Sequence, residues 1–248
     1  AVRDPSRAPQ LAGATVAGAV RDREAVRDAL TGVRVVLMVS ASEAADRVDQ
    51  HRTFLDAAAA AGVEHVVYTS FEGAAPDATF TLARDHWATE QHVRSLGLPA
   101  TFLRDQFYLD SLVEFVGSDG AIRGPAGEGR VAAVARDDIA DAAVAVLRDP
   151  AAHAGRTWSL TGPEALTLEE VAATISAVTG TPSRYVPETL DEAYASRASY
   201  GAPDWEVEAW VSTYTAIADG SLAGVTDHVA QLTGHPARSL EQVLQAQR

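Results

Sequence analysis

The chain has no lysine and no cysteine: all twenty basic residues among its 248 are arginine. Without lysine there is no Schiff-base chemistry, no P-loop lysine of a Walker-type ATPase, and no lysine-dependent dehydrogenase mechanism. Without cysteine there are no disulfides, no thiolate metal ligands and no cysteine nucleophile, and a reducing cytoplasm is the natural compartment. No apolar run approaches the roughly 18–20 residues that span a bilayer, and no signal-peptide pattern opens the chain. The longest greasy stretch, Ala57–Val63, is an alanine-rich helix end followed by a turn. Positive charge is also scarce. A net charge of −14 repels phosphate backbones and anionic lipid, so neither nucleic acid nor a membrane is an expected partner.

What remains is ordinary globular material, 47% apolar and 22% charged, enough for one large domain or a nucleotide domain with an appendage. Val16–Val20 reads as a weak strand, and Asp22 caps a helix that ends at Gly32. Val33–Val39 is β-branched and nearly continuous, as a buried parallel strand should be. Ala44–Ala61 predicts a helix stopped by Gly62, and Val63–Thr69 the next buried strand. Leu82–Ser95 is helical, and Ala100–Leu103 is a further strand with Arg104, Asp105 and Gln106 at its end. The stretch Gly117–Gly129 reads as a glycine-rich loop, too polar and irregular for core. A helix follows from Asp137 or Asp138 through Leu147, then a strand at Thr157–Leu160. Thr167 with Glu170 three residues on forms a capping box for Leu168–Val178.

Alternating strands and helices imply an α/β fold: a Rossmann-type parallel sheet with helices on both faces. Beyond Tyr185 the chain is mostly helical and carries Trp205, Trp210, Tyr194, Tyr200 and Tyr214, predicting a small C-terminal substrate-side subdomain. The expected division is 1–150 for the nucleotide domain and 151–248 for the smaller part, with the chain crossing between them. In open parallel sheets, ligands bind beyond the carboxyl ends of the strands. That rule selects residues 3–7, 40–42, 69–73 and 104–108.

The runs VRDPSRA (Val2–Ala8), VLMVSASE (Val36–Glu43), QHRTFLDAAAAAGVEHVVYTSF (Gln50–Phe71), DHWATE (Asp85–Glu90), TFLRDQFYLD (Thr101–Asp110) and VARDDIADAAVAVL (Val134–Leu147) resemble the NmrA-like family. Within it they are similar to the NADPH-dependent quinone reductase branch of the atypical short-chain dehydrogenases. The resemblance implies an NADP(H)-dependent oxidoreductase passing hydride to a quinone-like or other small carbonyl acceptor. It equally allows a non-catalytic NADP-sensing regulator that binds a protein partner. A homodimer is left open.

The resemblance also assigns residues. Arg3 matches the basic residue that neutralises the 2′-phosphate of NADP, against the reading of a surface arginine. Ser40, Ala41 and Ser42 follow the strand beside the pyrophosphate and nicotinamide ribose, or simply cap a helix. Thr69, Ser70 and Phe71 match the segment lining the nicotinamide, with Ser70 orienting a substrate carbonyl. His86 stands where ordinary short-chain dehydrogenases carry lysine, and Leu82 where they carry tyrosine, so that mechanism is closed. His86 is expected either to donate to the ribose or the acceptor, or to pair with Glu90 one turn on. Arg104, Gln106, Phe107 and Tyr108 would line the substrate mouth, with Tyr108 the one nearby phenol that could serve as an acid. A zinc site is not expected: His86 and His92 are six apart and face differently.

The family's glycine-rich phosphate turn has no match. The chain opens on Arg3-Asp4-Pro5-Ser6-Arg7, where a second strand should end. A first βα unit of roughly 30 residues is therefore expected to be missing, leaving Val33–Val39 with an unpaired hydrophobic edge.

Overall fold

The computed structural model describes residues 22–247, with Ala8, Ala12 and Gly13 ahead of them. Arg3, Arg7 and the strand expected at Val16–Val20 lie outside the described residues.

In chain order the elements are α1 (Arg23–Ala29), β1 (Val35–Met38), α2 (Arg47–Ala60), β2 (His65–Phe71), α3 (Thr81–Ser95), β3 (Ala100–Asp105), β4 (Ala121–Gly124), β5 (Arg130–Val131), α4 (Arg136–Arg148), β6 (Thr157–Leu160), β7 (Leu166–Thr167), α5 (Leu168–Thr179), β8 (Arg184–Pro187), α6 (Leu190–Arg197), α7 (Asp204–Ala218), α8 (His228–Thr233) and α9 (Leu240–Ala246). Among the described residues the main sheet is parallel, in the order β1-β2-β3-β6. It therefore extends past residue 150, because β6 pairs with β3.

β2 is buried at every position, as a strand covered on both faces must be. Val66 and Tyr68 point to one face, with Leu55 of α2 and Val93 of α3. Val67 points to the other, with Leu103, Val146 of α4 and Val229 of α8. A third apolar core joins the sheet's end to the C-terminal helices through Phe71, Leu112, Ile122, Leu168 and Ile217. Each fully buried leucine or isoleucine contributes roughly 1.5–3 kcal/mol relative to exposure. Among the described residues β1 pairs only with β2, and Leu37 and Val39 are exposed. No helix among the described residues is long and apolar enough to cross a membrane.

Local signals set several boundaries. Asp22 accepts from the amides of Glu24 and Ala25, and the Thr167–Glu170 box closes reciprocally. Others differ from the sequence expectation. α2 begins at Arg47 rather than Ala44, because the chain before it is held as a turn by tertiary bonds described below. β3 continues through Arg104 and Asp105, so these are strand residues. The stretch Gly117–Gly129 is not mere loop. β4 lies inside it, with Ile122 and Ala126 fully buried, and pairs with β8. Its glycines are there for close packing: a Cβ on Gly124 would collide with the Tyr214 ring. β8 was hidden by its shortness and its terminal Pro187.

Candidate functional site

Parallel strands deliver their carboxyl ends to one side. β1 runs out into Val39–Glu43, β2 into Glu72 and Gly73, and β3 into Gln106–Tyr108. The first of these turns is pinned from behind. Ser40 N donates to Thr69 Oγ1 at 2.9 Å, and Ala41 N to His51 Nε2 at 2.9 Å. Arg47 Nε donates to the Ala41 carbonyl at 2.9 Å. Both polar groups of Ala41 are thus satisfied inside the protein, which is why α2 cannot start earlier.

Arg47 is buried and reaches further. Its Nη2 donates to His86 Nε2 at 3.0 Å. A guanidinium can only donate, so Nε2 accepts and the His86 proton sits on Nδ1, 3.0 Å from the Tyr68 hydroxyl. The same logic fixes His51. Its Nε2 accepts from Ala41, so Nδ1–H faces Thr89 Oγ1 at 2.8 Å, and Thr89 donates to the Asp85 carbonyl at 2.8 Å. Burial first, then the Arg47 charge, drive His51 down to about 3 and His86 well below its ordinary value. Both rings are neutral at physiological pH.

His86 faces Arg47 and Tyr68 rather than Glu90. Its two ring nitrogens are occupied within the protein, so it presents no donor to a ligand as placed. Glu90 is likewise occupied elsewhere. Fully buried, it accepts from Arg104 Nε and Nη2 at 2.9 Å each, from Arg94 Nη2 at 3.1 Å, and from Ser70 Oγ at 2.7 Å. Ser70 is itself fully buried, so its hydroxyl serves this carboxylate rather than a substrate carbonyl. Gln106 is buried too and donates to the Leu222 carbonyl at 3.1 Å.

In front of the turn lies a cavity of about 700 Å³, between the sheet's end, β4 and helices α6 and α7. Phe80, Phe107, Tyr108, Phe115, Trp210 and Tyr214 supply its aromatic wall. Phe71 stands behind that wall, its ring 4.9 Å from Phe80 and 5.2 Å from Phe107. Of the three residues expected to carry catalysis, Tyr108 alone lines this cavity. Its hydroxyl donates to Asp105 Oδ2 at 3.1 Å. Burial pushes Asp105 up to about 8, opposed by the Tyr108 bond, and pushes the Tyr108 phenol up as well.

Arg47 and His51 were not singled out from sequence; Asp105 entered only as part of the 104–108 strand end, and Glu90 only as a partner for His86. The available signal was the spacing of Arg47 and His51, four apart on one helix face beside a predicted strand end. Elsewhere, Asp138, Asp141 and His235 approach one another, but the Arg238 guanidinium already lies among them.

The described residues fit the binding of a dinucleotide's sugar–nicotinamide end. The pinned turn lies at the carboxyl ends of the strands, and behind it Arg47 Nη1 is buried without a hydrogen-bond partner, its nearest anion Asp85 3.6 Å away. Comparison with known proteins agrees. The NmrA-like family model matches residues 2–198. The chain belongs to the NmrA-like family. It is 34% identical to the NAD(P)H azoreductase of Xenophilus azovorans, over 99% of this chain and 87% of that protein. The NADPH-dependent quinone oxidoreductase of Escherichia coli, solved with NADPH, superimposes with a TM-score of 0.84 at 30% identity, covering 92% of this chain and 81% of the other. The negative transcriptional regulator NmrA, solved with NAD, gives 0.70 at 20% identity over 92% and 78%, a likeness of fold alone.

Proposed function

We propose that this NmrA-like chain is an NADPH-dependent oxidoreductase that reduces quinone-like or other flat carbonyl acceptors. The observation that carries the reading is the ring-walled cavity of about 700 Å³ opening where the parallel strands end. Aromatic walls stack on flat conjugated rings, and such cavities are large enough for one small acceptor. Bound NADPH supplies a hydride, which the acceptor takes up with one proton to leave hydroquinone and NADP⁺. The enzymes similar to this chain share about a third of its residues, whereas the regulator shares its fold, so the sensor is the weaker reading.

Ser40, Ala41, Ser42, Thr69 and Phe71 are the described residues that would hold the cofactor, and Arg3 is the residue we assign to its 2′-phosphate. Ser70, His86 and Arg104 act through others, by fixing Glu90 and Arg47 behind them. At the cavity wall, Tyr108 Oη holds a proton against Asp105, whose carboxyl is neutral below about pH 8. A quinone takes its proton readily from water, so this pair assists rather than governs the reaction. The cysteine-free composition supports work in the reducing cytoplasm.

Stopped-flow NADPH oxidation against a panel of quinones, with calorimetric NADPH binding in parallel, tests the assignment. Acceptor-dependent oxidation is the expected result. Binding without oxidation by any acceptor would replace the enzyme with the NADP-sensing regulator.

A further inference from the structure

The cavity carries a charge pattern that its aromatic wall does not explain. Glu43, Glu114, Arg123 and Arg197 all line it. Both arginines are committed to other partners. Arg197 is buried. Its Nη1 donates to Glu188 Oε2 and to the Ala193 carbonyl at 2.9 Å each, and its Nη2 to the Arg123 carbonyl at 3.0 Å. Arg123 forks onto Asp119, at 3.0 and 2.5 Å. Each positive charge is thus met by a carboxylate that does not line the cavity.

The two lining carboxylates have no such match. Among the described residues, neither Glu43 nor Glu114 makes a hydrogen bond or an ion pair. Glu43 also sits in an unfavourable field. Loss of water holds its carboxyl above the ordinary range. Arg47 opposes that shift without touching it, and Glu206 of α7 adds to it. A cation entering the cavity would relieve that field while its ring stacked on the wall. Cations also sit well over the faces of Trp, Tyr and Phe, and a net charge of −14 steers them in.

We infer that this cavity selects flat aromatic ligands bearing positive charge and discriminates against sulfonated or phosphorylated ones, with Glu43 and Glu114 as the selecting residues. Turnover of such ligands rests on the oxidoreductase reading above; their preferential binding does not.

The test uses one naphthoquinone core carrying, through the same methylene linker, a trimethylammonium group, no charge, or a sulfonate. kcat/KM should fall in that order, with a cation-to-sulfonate ratio on the order of tenfold or more at low salt. The ratio should shrink as added NaCl screens charge over about 10 Å at 0.1 M. Glu43→Gln and Glu114→Gln should each compress it by roughly three- to tenfold, the effect of one charge several ångströms away across a wet cavity. The double variant should bring it close to one. A sulfonate handled as well as the cation, or a ratio that neither variant moves, overturns the inference.

A second arm needs no turnover: quenching of tryptophan fluorescence by naphthylmethyl-trimethylammonium and by naphthalenesulfonate. Tighter binding of the cation with no oxidation in the first arm keeps the selectivity and removes the oxidoreductase reading. Equal binding of the two ions, or none, removes the selectivity whatever the turnover.

Discussion

The two sides of the Ser40–Glu43 turn follow opposite plans. Behind it, Arg47, His51, Tyr68, His86 and Thr89 spend all but one of their hydrogen-bonding groups, Arg47 Nη1, on one another, on the turn's backbone and on the Asp85 carbonyl. In front of it, rings enclose an open cavity whose two lining carboxylates make no hydrogen bond or ion pair among the described residues. A buried network so nearly satisfied holds one geometry, since any displacement leaves further donors or acceptors unpaired. An apolar wall imposes no such penalty and accepts different flat molecules. The contrast is what the proposed reading calls for: a cofactor held in one geometry beside a cavity that admits flat rings.

The sharpest way to break the rear plan is Glu90→Ala. It strands Arg104 and Arg94 beside a buried vacancy and should cost about 3–5 kcal/mol in denaturant unfolding. A loss below 1 kcal/mol would show that this carboxylate does not hold the network together.

Arg47→Ala comes next. It frees the Ala41 carbonyl and His86 Nε2 together, and NADPH binding should weaken by about 1.5–3 kcal/mol, roughly ten- to a hundredfold, as for loss of a charged hydrogen bond. Arg47→Lys should recover part of the affinity, because it restores charge but not the fork. Unchanged affinity by calorimetry would separate the rear network from the cofactor.

Asp105 sharpens the comparison through pH. Its folded carboxyl sits at about 8, above the ordinary 3.8, so folding favours the protonated form. Its contribution to stability is therefore full below pH ~4 and is lost as pH rises toward about 8. Asp105→Asn should flatten that decline and raise Tm at pH 8 by about 2–4 °C, the shift one kcal/mol gives a chain of this size. Parallel pH profiles of Tm for variant and parent would contradict the assignment.

The smallest effect belongs to the front. Tyr108→Phe should lower kcat by at most about tenfold, below the roughly hundred- to ten-thousandfold of general acid–base catalysis, because water can protonate a reduced quinone. A loss beyond ten-thousandfold would make the phenol an indispensable acid.

The elements of the main sheet were legible because their signals are local. Thr157–Leu160 reads as a strand from its own four residues, and the Thr167–Glu170 box from two residues three apart. Ser40–Ser42, Thr69 and Tyr108 followed from the rule that ligands meet the carboxyl ends of parallel strands. Ser70 obeyed that rule in position, though its hydroxyl turns to Glu90, while His86 came from the family resemblance and sits on α3 facing Arg47 and Tyr68. Side chains alternate across a strand, and a helix turns a residue by about 100° per step, so proximity to a strand end does not say which way a hydroxyl or imidazole faces.

The lysine-free, cysteine-free composition, the alternation of elements and the six family-like runs were determined by sequence alone, since each depends on residue identity and near neighbours. The Arg47–His86 bond joins residues 39 apart, Ser70 meets Glu90 across twenty, and β4 finds β8 some sixty residues on. Those meetings, and the charge left over in the cavity, were decided by the tertiary structure. Hydrogen bonds and ion pairs act over a few ångströms, and only packing decides which distant residues come that close.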